Sequence, residues 1–121
     1  MKAHAAVAAY LLGDDVLVQS VLGDVGSAPL SDAEKALLLF VEKVNRDSIA
    51  VGPADVEALH AHGWSDEALY DAISVCALFN FYNRWIDATG VHPMSDGAHR
   101  AAAVRMAPGY IRTPPSDAGG R

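Results

Sequence analysis

The sequence predicts an all-α domain of five or six helices. Three observations support this: apolar residues recur at three- and four-residue spacings, Gly and Pro punctuate the runs between them, and no alternating stretch is long enough for a strand. At 121 residues, 51% apolar and 20% charged, the chain can bury a core without disulfide or metal staples. The expected organisation is one helical domain over residues 1–106 and a loose tail over 107–121, where Pro114-Pro115 and Gly119-Gly120 discourage regular structure.

The first helix is the alanine-rich run His4-Ala5-Ala6-Val7-Ala8-Ala9-Tyr10-Leu11-Leu12, which stops at Gly13. No Ser, Thr, Asp or Asn stands before it as an N-cap, so the sequence reads as starting inside a helix. A short helix over 15–22 ends at Gly23, and a loop broken by Gly26 and Pro29 follows. Ser31 and Glu34 form a capping-box pattern that opens a helix to about residue 46. Ala36, Leu37, Phe40, Val41 and Val44 give that helix one buried face. Asp32 and Glu34 at its start, with Lys43 and Arg46 at its end, complement the helix dipole.

Gly52-Pro53 starts a short helix with proline at its first turn, where a missing N–H is no loss. Val56, Leu59 and His60 are expected to face inward, and Gly63 ends the helix. Ser65 caps a long helix over about 66–89, stopped by Gly90. Leu69, Ile73, Cys76, Phe79, Tyr82, Trp85 and Ile86 make it apolar nearly all round, the pattern of a helix buried by neighbours, some of which can belong to another subunit. After Pro93, Ser95 or Asp96 starts a last helix through Arg105.

Charge and cysteine content narrow the function classes. A formal net charge of −6 argues against nucleic acid as partner, because phosphate binding needs a basic surface. The helix–turn–helix spacing over 53–86 does not rescue that reading, since its second helix opens Ser65-Asp66-Glu67, which repels phosphate. The single cysteine, Cys76, rules out a disulfide within the chain and a cysteine-rich zinc site. With no secretory leader pattern and no apolar run of bilayer length, a cytoplasmic protein with no membrane partner is expected. His60 and His62 point to different faces of one helix, and His92 and His99 have no assignable carboxylate partner, so neither a metal nor a cofactor is expected.

Two stretches carry a resemblance. One runs from Ser27-Ala28-Pro29 through the capped helix to Val44, and the other from Asp55-Val56-Glu57-Ala58-Leu59 through Gly63-Trp64-Ser65 to Phe79-Asn80-Phe81-Tyr82-Asn83-Arg84-Trp85 and Thr89-Gly90-Val91. Together they resemble the alkylhydroperoxidase D and carboxymuconolactone decarboxylase superfamily, most closely its peroxidase-related branch, over roughly residues 3–92. The resemblance implies an oligomeric all-α fold with a Cys-x-x-Cys-x-x-x-His helix, in which the second cysteine attacks a hydroperoxide, the first resolves it as a disulfide, and the histidine relays protons with an upstream glutamate. A thiol at a helix start is acidified by the dipole, and a histidine four residues on lies one turn along the same face.

His4 matches the motif histidine and is the one candidate catalytic residue. The second cysteine would fall immediately before Met1, so this sequence lacks both thiols and the relay glutamate. A shortened peroxidase, whose partners are a hydroperoxide substrate and a thiol reductant, is the expected identity, and peroxide turnover by the sequence as it stands is not expected. The alternative is a non-catalytic helical homo-oligomer that binds a partner or a small apolar ligand; lactone decarboxylation fits the residues less well. Cys76, among Ile73, Val75, Leu78 and Phe79, reads as a buried structural cysteine rather than a replacement nucleophile.

Overall fold

The computed structural model describes residues 2–111, and within them all regular structure is helical. Six α-helices follow in order: α1 Lys2–Leu12, α2 Asp15–Gly23, α3 Asp32–Asp47, α4 Pro53–Ala61, α5 Asp66–Ala88 and α6 Asp96–Met106. Short 3-10 turns over Ser48–Ala50 and Ala107–Tyr110 extend α3 and α6. The chain divides into two compact units, one built from the residues up to Gln19 together with those from Pro93 onward, the other from Ser20–His92. The domain expected over 1–106 spans both.

In the Ser20–His92 unit, local chemistry sets each boundary. Ser31 adopts extended backbone and its hydroxyl accepts from the Glu34 amide at 3.2 Å, while the Glu34 carboxylate accepts from the Ser31 amide at 2.9 Å. The capping box is therefore reciprocal and satisfies two amides that the helix leaves without partners. Before α4, Asp55 reaches back to accept from the Gly52 amide at 2.8 Å, and both its oxygens accept from Lys43 Nζ at 2.8 Å. That carboxylate caps one helix and ties it to another. Gly63 and Gly90 end α4 and α5 at φ +86° and +72°, a region costly for residues with a Cβ.

The core of this unit joins Phe40 of α3, Leu59 of α4 and Leu69 of α5, with Ala36, Leu37, Val41, Val44, Val51, Val56 and Trp64 packed around them. Leu59 is 2% exposed, and burying a leucine to that extent contributes about 1.5–3 kcal/mol. His60 does not join this core. It lies at the surface, its Nε2 2.7 Å from Asp66 Oδ1, because a position one residue after a buried leucine is turned about 100° away on a helix.

The long helix has the expected bounds to within a residue, but its burial differs from expectation. Only Leu69 and Cys76 are buried along α5, and Tyr70, Val75, Leu78, Phe81, Tyr82 and Trp85 are exposed. The helix packs one face on α3, and its own unit supplies no second layer for the rest.

The other unit joins α1 to α6. Val7, at 2% exposure, packs against Ala103 and Ala107, with Ala6 alongside. The alanine-rich faces leave room for close backbone approach, and Lys2 Nζ pairs with Asp96 at 3.0 Å. The ordered chain continues past the boundary expected at residue 106: the Ala107–Tyr110 turn is built on Ala107, which is 1% exposed. Pro108 stands in the first turn of that 3-10 helix, where its missing N–H is no loss, and Ala107 packs against Val7. The remainder of the expected tail, 112–121, lies outside the described residues.

Candidate functional site

His4 lies on α1 one turn before Val7, on the same face as that buried valine. It is half-buried, and the ring of Tyr110 meets its imidazole edge-on, with centroids 6.1 Å apart and an interplanar angle of 74°. Such a T-shaped arrangement is among the favoured aromatic geometries. Burial lowers the His4 pKa below the ordinary imidazole value of 6.5, because the charged ring loses hydration. At neutral pH the ring is neutral and able to take up a proton.

Two further histidines have distinct surroundings. His99, on α6 in the same unit as His4, holds its Nδ1 buried without a hydrogen bond among the described residues. His62 lines a shallow apolar depression of about 330 Å³ between α3 and α4, with Ala36, Leu39, Phe40, Ala58 and Leu59. The Lys43–Asp55 ion pair forms one wall of that depression.

Cys76 is a free, buried thiol in the Ser20–His92 unit. Its Sγ lies 3.9 Å from the Val41 carbonyl oxygen and 3.7 Å from Asn80 Nδ2. Asn80 is the centre of a polar cluster: its Nδ2 donates to Asn45 Oδ1 at 2.7 Å and to the Cys76 carbonyl at 3.1 Å, while Arg84 donates to Asn80 Oδ1 at 2.9 Å. These bonds satisfy the polar residues that interrupt the apolar sequence of α5. Asn83, the third interruption, is exposed.

No family model, curated protein or solved structure matches the chain. Among the described residues no group of three or more His, Cys, Asp or Glu is placed to hold a metal ion, and no helix is long and apolar enough to cross a membrane.

Sequence reasoning singled out His4 as a candidate and did not anticipate the ring that lies against it. Tyr110 fell in the expected tail; the available signal was a tyrosine just beyond Pro108-Gly109, where a 3-10 turn can fold an aromatic ring back. Asn45 was also missed, because a hydrogen bond across 35 residues has no local pattern.

Proposed function

We propose that this chain is the helical body of a thiol-dependent hydroperoxide reductase of the alkylhydroperoxidase-like kind, with His4 as its proton-relay residue. The observation that carries this reading is the environment of His4: a half-buried imidazole under an aromatic ring, kept neutral by burial, on the helix where the Cys-x-x-Cys-x-x-x-His pattern requires it. In such a reaction a thiolate sulfur attacks the peroxide O–O bond, forming a sulfenic acid and releasing an alkoxide. The relay histidine takes up the thiol's proton as the thiolate forms and delivers it to the alkoxide, giving the alcohol. The second thiol condenses with the sulfenic acid, forming the disulfide and expelling water, and a dithiol reductant restores both thiols.

The sequence of 121 residues holds one thiol, that of Cys76, and it is buried. Peroxide consumption by this sequence with a dithiol reductant should equal the no-protein control. The same sequence preceded by Cys-x-x-Cys in the motif register and by the upstream relay glutamate should consume peroxide, and His4→Ala in that longer protein should slow it by about a hundredfold or more. A longer protein with no activity over control would overturn the reading.

We also propose that the protein is a homo-oligomer, since Phe81, Tyr82 and Trp85 on α5 leave an apolar face uncovered within its unit. The same face favours one second reading, a non-catalytic helical oligomer that binds a partner or small apolar ligand. Peroxide turnover by the cysteine-bearing protein separates the two.

A further inference from the structure

The Ala107–Tyr110 turn is attached to α1 at two points one helical turn apart. Ala107 is buried against Val7, and Tyr110 lays its ring against His4. Val7 and His4 are three residues apart and so share a face of α1. The turn thus runs along that face as a short strap, with its buried alanine as the anchor and the tyrosine ring as the cover.

We propose that Tyr110 is a positioning residue for His4: its ring fixes the imidazole's orientation and shields one side of it from water. Proton relay is steeply sensitive to such placement, since a displacement of about 1 Å can cost on the order of a hundredfold in rate. The contact is made by the ring, as shown by the centroid distance of 6.1 Å and near-perpendicular planes, so phenylalanine should substitute for tyrosine. The catalytic part of this assignment rests on His4 being the relay residue; the geometric part does not.

The test begins with the 121-residue protein in solution, by NMR. The unaltered protein should show nuclear Overhauser contacts between the Tyr110 and His4 ring protons. Tyr110→Leu should move the His4 ring resonances toward those of a solvated histidine while leaving those of His60 and His62 in place, and Tyr110→Phe should leave all of them in place. Absence of the ring-to-ring contacts overturns the proposal without recourse to any variant, so an unfolded Leu variant does not protect it. Unmoved His4 resonances in a folded Leu variant also overturn it, as does a Phe variant that moves them as far as Leu does. In the cysteine-bearing protein, Tyr110→Leu should lower kcat by about tenfold or more with KM little changed, and Phe should restore it. Intact ring contacts in a protein that never consumes peroxide would refute the peroxidase reading alone; a loss of activity that Phe does not restore would refute the positioning role.

Discussion

The indole Nε1 of Trp64 donates a hydrogen bond of 2.8 Å to the carbonyl oxygen of Ala33, joining the turn before α5 to the first turn of α3. The ring itself packs on the core of Phe40, Leu59 and Leu69, so this residue contributes both apolar area and a directed bond. Trp64→Phe keeps most of the area and removes the donor. It should cost about 1 kcal/mol in chemical denaturation, and Trp64→Ala about 3 kcal/mol. No loss for Trp64→Phe would show that the hydrogen bond contributes nothing, and equal losses for the two variants that the ring's area contributes nothing beyond it.

Asn80 holds a polar cluster together through bonds to Asn45, the Cys76 carbonyl and Arg84. Asn80→Leu removes the donor to Asn45 and the side-chain acceptor for Arg84, both at partly exposed positions. A loss of about 1 kcal/mol is expected, read as a fall in Tm of about 4–8 °C if the unit unfolds on its own. Asn45→Ala and Asn80→Leu combined should lose less than the sum of the two single changes, because they break the same bond. Strict additivity would contradict the shared cluster.

Cys76 should behave as an apolar core residue. Its thiol is buried against α3, so a thiol-specific reagent should label it slowly in folded protein and rapidly in denaturant. Cys76→Ala should leave the fold intact at a cost of about 1 kcal/mol. Rapid labelling of the folded protein at neutral pH would overturn this assignment and reopen the case for a reactive thiol.

The helices were legible in the sequence because their ends are chemically marked: Ser31 with Glu34, Pro53, Ser65, Gly63 and Gly90 all act where local reasoning placed them. Helical periodicity also put Phe40 and Leu59 on the inward faces of their helices, and they share one core. What local patterns do not carry is how much of an apolar helix its own chain will cover. Leu69 and Trp85 look alike in sequence, yet one is 4% and the other 57% exposed, since burial depends on whether a second layer exists opposite each turn. The site shows the same division. His4 was singled out as a candidate from a family resemblance, whereas Tyr110 is its neighbour through the burial of Ala107, which is set by packing rather than by the residues adjacent to either ring.

Acid should destabilise the protein in two separate windows. The His4 pKa is lowered by burial, so the unfolded chain binds a proton more readily than the folded one. Its contribution is fully present above the ordinary histidine range near pH 6.5 and is lost as pH falls through the lower folded value. Asp55 is held below the usual carboxylate range by the hydrogen bond from Lys43 and then by the Gly52 amide, and Glu34 by the Ser31 hydroxyl and amide. Their contributions are present above about pH 4–5 and are lost below it as each folded pKa is passed. Thermal unfolding followed from pH 8 to 3 should therefore show an upper step in the Tm of the α1–α6 unit, flattened by His4→Gln, and a lower step in that of the Ser20–His92 unit, reduced by Asp55→Asn. A Tm unchanged between pH 8 and 5 would contradict the upper step, and an undiminished lower step in Asp55→Asn would contradict the lower.

The uncovered face of α5 yields the prediction with the largest structural consequence. Phe81 is 61% exposed and Trp85 57%, four residues apart and therefore stacked on one face of the helix, with Leu78 one turn earlier at 51%. An apolar row of this kind left to water favours association, and aromatic residues at the centre of an interface carry a disproportionate share of its energy. The protein at micromolar concentration should scatter light as a dimer or larger species. Trp85→Glu should shift it to the monomer, because a carboxylate brought into an apolar contact loses hydration without gaining a partner. Leu59→Ala, which weakens the core of Phe40, Leu59 and Leu69 by about 2–5 kcal/mol, serves as the contrast: it should lower Tm while leaving the oligomer of the folded protein intact. A monomer in the unaltered protein would remove the α5 face as an association surface.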